Sequence, residues 1–415
     1  MTSSVAVADP PPPAPVAAEG RPVVTRADWI RALRYSALVY LGVRLGLFLV
    51  GLLSTALLPR NAPADVPGWP ATQPSASWHH VFTAWERWDA LWFLRIASTG
   101  YRQDDASAAF FPLYPLLSRG VANLLGNNWL LGAYVVSNLA LIVAFTVFYR
   151  LTALEFSEAT ARRAVLYLAV FPTSLFLFAP YTESLFIALS VGCLYAARRS
   201  AWLLAGYLGA MASLTRSTGL LLALPLAVEA LLQYRSSVGP AVARLRGVLS
   251  GLAAAAAVGL GIGAYFLYWE SFADDWRRPL DVQGATWSRE KSWPWDTLVA
   301  GVREGTRYLG TYSGGYHSVD LVLVLVALVA GVWIAVRLRP TYSLYYWAAL
   351  LFPMTLAFGG RPFLSMPRFL LVMFPLFWAL ARLSERFKLH DAIVAVSACG
   401  LGLLSVLYVN WYFVF

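Results

Sequence analysis

Asp89 stands in RWDALWFLRIASTGY, residues 87–101, a lone acid among aromatics just after the first long apolar run. A carboxylate so placed can take the proton of an acceptor hydroxyl as a new bond forms. Glu86, Glu183, Arg216, Arg361 and Arg368 fall on the same side of the apolar runs. Ionisable groups at membrane depth are costly and usually paired or functional. A phosphate leaving group needs no acid to protonate it, unlike the poor leaving group for which a hydrolase keeps a second carboxylate. Its developing negative charge needs cations instead, and guanidinium groups bind phosphate through paired hydrogen bonds. Arg216, Arg368, Arg361 and Arg95 are candidates for that role, and Trp88, Trp92, Tyr181 and Glu183 for contact with a sugar or an acceptor. The plainer readings make Asp89 an interfacial acid that caps a helix or pairs with Arg87 or Arg95. They make each arginine a structural ion pair or snorkelling group, and Glu183, in APYTES, a helix-start acid.

Such groups must be carried by membrane helices. Of the 415 residues, 59% are hydrophobic and only 13% charged, against roughly 25% charged in an average soluble domain. The runs at 36–58, 129–149, 248–269, 319–336 and 392–411 approach or exceed the ~20 residues that cross a bilayer. The expected fold class is all-α, a polytopic integral membrane protein with about eleven spans. The net charge of +10 would suggest nucleic acid in a soluble protein. Its distribution follows membrane topology instead, so no nucleic-acid partner is expected. Arg21, Arg26, Arg31 and Arg34 precede the first run. Arg150, Arg162 and Arg163, then Arg198 and Arg199, then Arg235, Arg244 and Arg246, sit at later alternate ends, followed by Arg337, Arg339, Arg382, Arg386 and Lys388. With a cytoplasmic amino terminus, these clusters all fall on the cytoplasmic side. The segments at 182–197 and 202–215 are short for a span, so one is a candidate re-entrant segment. Lys291 and Lys388 are the only lysines among 32 basic residues, a bias that suggests a GC-rich genome and a bacterial plasma membrane.

Two outer loops, 59–128 and 270–318, are too long for simple turns. In the first, Trp85, Trp88, Trp92 and Ile96 recur at helical spacing, which predicts an amphipathic helix on the membrane surface. A second such helix is expected from FFPLYPLL, where Pro112 suits a first turn. Trp269, Trp276, Trp287, Trp293 and Trp295 make the second loop an expected interfacial belt. Residues 1–35, with Pro10–Pro15, read as a disordered cytoplasmic tail, and 36–415 as a single transmembrane domain. No cleavable signal peptide is expected in that tail.

Cys193 and Cys399 lie in apolar segments and argue against a disulfide framework. His79 and His80 are adjacent and point in different directions on a helix, so no metal site and no cofactor is expected. Asp104 and Asp105 read as a solvated turn, and Arg44, in the middle of a run, must face protein or water. GLGIG, residues 259–263, reads as close helix packing rather than a dinucleotide loop. The absence of a Walker sequence argues against an ATP-driven pump.

Three segments in order, RWDALWFLRIASTGY with AFFPLYPLL, FPTSLFLFAPYTESLF and LTRSTGLLL, resemble the PIG-V family, which holds the second mannosyltransferase of GPI-anchor assembly and its bacterial relatives. MPRFLLVMFPLF, residues 366–377, fits the same family's closing portion. The resemblance implies the GT-C glycosyltransferase fold, an extracytoplasmic active site, a polyprenyl-phosphate sugar as donor and an inverting mechanism. It maps the catalytic acid of the first outer loop onto Asp89. The family commonly has Asn after Arg-Ser, where this chain has Thr218. Glycolipid, glycan and protein acceptors all stay open. The alternatives are a flippase or exporter of lipid-linked sugars, which would show internal repetition, and a non-catalytic subunit of a glycan-assembly complex.

Overall fold

The computed structural model describes residues 24–70, 80–311 and 314–414. The Pro10–Pro15 tract, Arg21 and His79 lie outside them. Six helices are long and apolar enough to cross a membrane: Arg26–Leu57, Trp129–Glu155, Ser217–Ser236, Ala241–Ala273, Gly315–Arg337 and His390–Val409. Met366–Val372 and Pro375–Phe387 form a seventh candidate, bent by 81°. The five apolar runs expected to span lie within five of these helices to within two residues. The expected count of about eleven is not confirmed, because Glu158–Val170, Glu183–Arg198, Trp202–Thr215 and Pro340–Leu351 have only 12 to 16 residues. At ~1.5 Å per residue each falls short of the ~30 Å hydrocarbon core.

The amino-terminal helix starts ten residues ahead of its apolar run, so the tail expected over 1–35 is helical from Arg26. Thr25 and Asp28 are the cause: the Asp28 carboxylate accepts from the Thr25 N–H at 2.9 Å, and the Thr25 hydroxyl accepts from the Asp28 N–H at 3.3 Å. This reciprocal cap satisfies two donors that the helix would otherwise leave open. Leucines 38, 41, 45 and 49 then face outward, as suits a helix against lipid. Arg44 turns inward, donating to the Phe178 carbonyl at 3.0 Å and lying 4.2 Å from the Phe48 ring.

Trp202–Thr215 and Ala241–Ala273 pack closely through small residues. Gly206 lets the Ala254 backbone approach, and Gly261 does the same for Ala210 and Ser213. Gly261 thus carries the close packing expected of GLGIG, while Gly259 and Gly263 face open space.

Five arginines of the basic clusters gather at one end of the helices. There Arg150 and Arg31 reach Glu158 at 3.4 and 3.5 Å, Arg163 reaches Glu385 at 2.9 Å, and Arg198 meets Glu155 at 2.6 Å and Glu229 at 3.1 Å. Arg339 adds a contact to the fully buried Glu229 at 2.9 Å. Glu183 begins the helix that Arg198 ends, so the charges singled out for chemistry lie at the opposite end.

Candidate active site

The site is built on chain breaks. The surface helix expected over Trp85–Ile96 is interrupted at Trp88, whose φ of 55° is left-handed, and the helix proper is Asp89–Thr99. Its residues 90–97 are all buried, so it is a core helix rather than an interfacial one. A bulky residue in that backbone region costs ~1–3 kcal/mol and must be held from outside. Tyr181 and Tyr408 hold it, both donating to the Arg87 carbonyl, at 2.9 and 3.3 Å. Trp88 itself packs edge-on against Trp411 and Phe413. The break leaves Asp89 as the first helical residue, its side chain 28% exposed.

Arg368 meets Asp89. It sits in Met366–Val372, a short helix entered through left-handed Ser365 with Pro367 in its first turn. Its Nη1 lies 2.5 Å from Asp89 Oδ2 and its Nε 2.5 Å from Glu183 Oε1. Glu183 Oε1 also accepts from Arg216 Nη1 at 2.6 Å. Asp89, Arg368, Glu183 and Arg216 therefore form one continuous chain of charges, drawn from four separated segments. The reading of Glu183 as a simple helix-start acid gives way to this arrangement: the carboxylate is fully buried and clamps two guanidinium groups. Tyr181 stacks under Arg368, 4.7 Å from its guanidinium carbon.

Asp89 and Arg368 sit where two cavities meet. The larger, about 860 Å³, runs between Arg216, Ser217, Thr218, Arg289, Arg361 and Tyr316 on its polar side and Phe93, Phe111, Ile262, Phe266, Leu280 and Phe352 on its apolar side. The smaller, about 220 Å³, is lined by Asp65, Trp88, Trp92, Tyr181, Trp287 and Phe413. Arg361 is committed to Asp320 at 2.7 Å and to the Val414 carbonyl at 3.2 Å. The Thr218 hydroxyl, at the position where the resemblance expects Asn, is buried without a hydrogen-bond partner among the described residues.

Two expectations change. Arg95 lines neither cavity; it is buried against Asp105, which makes Asp105 half of a structural pair rather than part of a solvated turn. Asp104 does stay exposed, bonded to Arg102 at 2.8 Å. Arg87, an alternative partner for Asp89, instead donates to the carbonyls of Thr83 and Val409 and lies over Trp411. Glu86 accepts from the Trp69 indole at 3.0 Å and so ties Trp69 to the segment that precedes Asp89. Within the second loop, Trp269 and Trp287 turn into the protein, while Trp293 and Trp295 stack on each other in the open, 64% and 59% exposed.

Arg289 escaped the sequence reading. It lines the larger cavity from a two-stranded antiparallel ladder, Arg289–Lys291 against Leu356–Phe358. Burial pushes its guanidinium below the ordinary arginine range, while Asp89 pulls it back up and Arg368 pushes it further down. Its hydrogen bond, to the Leu356 carbonyl, is 3.4 Å long. Nothing in its local sequence sets it apart from the other charges of that loop, and only the strand pairing brings it to Asp89. Among the described residues no group of three His, Cys, Asp or Glu side chains could hold a metal ion.

A helical membrane protein with a charged cleft open to apolar walls is the class that fold and site define. Residues 37–274, more than half of the chain, match the family described as mannosyltransferase (PIG-V), and the chain belongs to that family. No curated protein matches it. Similar solved structures include the Archaeoglobus fulgidus oligosaccharyltransferase in complex with zinc and sulfate, at 14% identity and a TM-score of 0.41, covering 89% of this chain and 53% of that one. Another is the archaeal oligosaccharyltransferase AglB from Archaeoglobus fulgidus in complex with an inhibitory peptide and a dolichol-phosphate, at 13% identity and a TM-score of 0.39, covering 89% and 55%. The chain spans about half the length of these proteins.

Proposed function

We propose that the protein moves a mannosyl residue from a polyprenyl-phosphate-linked donor to an acceptor hydroxyl at the extracytoplasmic face, with inversion and with Asp89 as general base. On this reading residues 36–415 form one GT-C domain, its amino terminus cytoplasmic in a bacterial plasma membrane. The observation that carries it is the charge balance between the arginines that line the larger cavity and their carboxylate partners. Four arginines, 216, 289, 361 and 368, face three carboxylates, Asp89, Glu183 and Asp320. One positive charge is left over. A lipid monophosphate esterified to a sugar carries one negative charge, and the apolar wall of Ile262, Phe266, Leu280 and Phe352 suits its chain.

The step follows from that placement. The bond from the donor's anomeric carbon to the phosphate oxygen breaks, and its electron pair leaves with the phosphate. The acceptor oxygen bonds to that carbon from the opposite side, and its proton passes to Asp89. Arg368 keeps Asp89 oriented, and the leaving phosphate, gaining a second negative charge, is met by guanidinium groups already in place. No second acid is needed.

The test compares transfer of radiolabelled mannose from polyprenyl phosphate mannose in membranes holding the wild-type chain or Asp89→Asn. Asn can still accept a hydrogen bond from Arg368, so the variant is expected to fold and to lose about 10²–10⁴ in rate. Wild-type turnover by a folded Asp89→Asn protein would remove Asp89 from the mechanism. Movement of the intact donor across the bilayer without a new glycosidic bond would favour a flippase.

A further inference from the structure

We propose that residues 410–414, which follow the last spanning helix, are a strap that positions Asp89, and that Arg361 is the latch that fastens it. The proposal rests on the reading of Asp89 as general base given above. It assigns Trp411 and Arg361 a positioning role, in which they act through Asp89 rather than on a substrate.

Two bulky residues that touch each other both hold left-handed backbone, Trp88 at φ 55° and Trp411 at φ 66°. Such conformations persist only where the surroundings over-determine them, and they cluster at functional sites. The two indole rings pack edge-on with centroids 5.7 Å apart, and the Phe413 ring also meets Trp88, at 5.1 Å. Arg87, 1% exposed, lies 4.4 Å over the Trp411 ring and donates through Nε to the Val409 carbonyl at 3.1 Å. Both residues that lead into Asp89 are therefore seated on the strap. Asp89 opens its helix, and the first turn hangs from these two residues: the Ala90 and Leu91 N–H groups donate to the Arg87 and Trp88 carbonyls at 3.1 and 3.0 Å. The direction of the Asp89 carboxylate follows from where Arg87 and Trp88 are held.

The strap is fixed at both ends. At its start the Asn410 side-chain N–H donates to the Ser54 hydroxyl at 2.6 Å, and the Asn410 carbonyl accepts from the Asn61 N–H at 2.9 Å. At its far end the Val414 carbonyl accepts from Arg361 at 3.2 Å. Arg361 can serve as a latch because it is itself anchored: the buried Asp320 carboxylate takes two of its nitrogens at 2.7 and 3.1 Å, and the Tyr316 ring lies 4.4 Å from its guanidinium carbon. Trp411 is buried and lines neither cavity, so it offers no surface to a substrate. What it gives the site is its contact with Arg87 and Trp88. Arg361 does line the larger cavity, but Asp320 cancels its charge. Removing that pair together leaves the charge balance of the cavity as it was, and a resulting loss of rate comes from the strap. A small shift is enough, because misplacing a reacting group by about 1 Å can cost about 100-fold.

The experiment uses the full chain in proteoliposomes, matched for folded protein, with two readouts: initial-rate transfer from radiolabelled polyprenyl phosphate mannose at varied donor, and amide hydrogen exchange. Trp411→Leu, and separately Asp320→Leu combined with Arg361→Met, should each lower kcat about 10- to 100-fold with the donor KM within about twofold of wild type, because a misplaced base is missed only in the transition state. The paired substitution keeps the test open should Trp411→Leu fail to fold, since replacing a whole buried ion pair by apolar side chains is often tolerated. Trp411→Phe, which keeps a ring against Arg87 and Trp88, should recover most of the rate. Tyr412→Ala, at an exposed neighbour that lines neither cavity, should match wild type. Exchange at the Ala90 and Leu91 amides should quicken in the first two variants and keep its wild-type rate at Phe186 and Ile187, near the start of the other acid's helix. A raised donor KM with wild-type kcat would make Arg361 a phosphate ligand and overturn the proposal, as would wild-type kcat and wild-type exchange together. The base reading is separated by Asp89→Asn. If that variant is inactive while folded strap variants keep wild-type kcat, the strap inference falls alone. If it turns over like wild type while exchange quickens at Ala90 and Leu91, the base reading falls and the strap is left as a brace of that helix start.

Discussion

Arg289→Ala removes the one cavity arginine that has no carboxylate within ion-pair distance among the described residues. Arg216 and Arg368 share Glu183, Arg368 also holds Asp89, and Arg361 is held by Asp320. Truncating Arg289 therefore orphans no buried anion, and its backbone pairing with Phe358 survives. Folding should be nearly unaffected. On the proposed reading function should not be, because this guanidinium would supply the uncompensated charge that a donor phosphate neutralises. A hydrogen bond to a charged group contributes about 1.5–3 kcal/mol. Arg289 is only half-buried, which places its effect at the lower end, a loss of about 10- to 30-fold in kcat/KM. The phosphate passes from one negative charge to two as the sugar leaves, so the contact strengthens along the reaction. The loss should thus appear in kcat as well as in the donor KM. Arg289→Lys keeps the charge but not the planar fork and should recover part of it. The assay is initial-rate transfer from radiolabelled polyprenyl phosphate mannose at varied donor, in proteoliposomes matched for folded protein. A folded Arg289→Ala protein with wild-type kcat/KM would refute the charge inventory and, with it, the place assigned to the phosphate.

Two further substitutions separate structural from functional charges. Arg95→Ala leaves the buried Asp105 carboxylate with only the half-exposed Arg102 at 3.8 Å and the Ser107 N–H, and should destabilise the protein by about 3 kcal/mol, read as a lowered thermal midpoint in detergent, while the surviving folded fraction keeps its donor KM. Glu183→Gln leaves Arg216 and Arg368 side by side without their shared anion; both stability and kcat should fall, and a variant with wild-type kcat would show that Glu183 does not organise the site.

The reach of the sequence can be judged residue by residue. Asp89, Glu183, Arg216 and Arg368 stood out because ionisable groups beside apolar runs need a reason, and the structure brings all four together. The same logic selected Arg95, which satisfies it differently: its reason is Asp105, ten residues on, and no pattern along the chain told the two outcomes apart. The surface helix at 85–96 failed because periodicity cannot register a single left-handed residue such as Trp88, nor distinguish aromatic residues that face lipid from those that face protein. The span count stays unconfirmed for a related reason. Helices such as Glu183–Arg198 are apolar and buried but short, and composition shows their shortness without deciding whether they cross. Arg289 and Asp65 were invisible because each is brought to Asp89 by long-range pairing, the first through the ladder with residues 356–358 and the second through contacts of the 61–69 stretch with residues 86 and 410.

Glu183 explains how several cations coexist beside Asp89. Packing Arg216 and Arg368 together in a buried setting would be prohibitive without an anion between them. One fully buried carboxylate gives both a fixed partner and leaves Arg368 free to hold Asp89 with its other nitrogen. Burial of Glu183 makes that partner permanent: it lines neither cavity, so a substrate cannot displace it. Asp89 is the opposite case, partly exposed and facing both cavities. The two acids both begin helices and both bind Arg368, but only one of them is placed to meet a hydroxyl. The difference between a buried structural anion and one open to the cleft is thus set by which helix start lies against the cleft, not by residue type or local sequence.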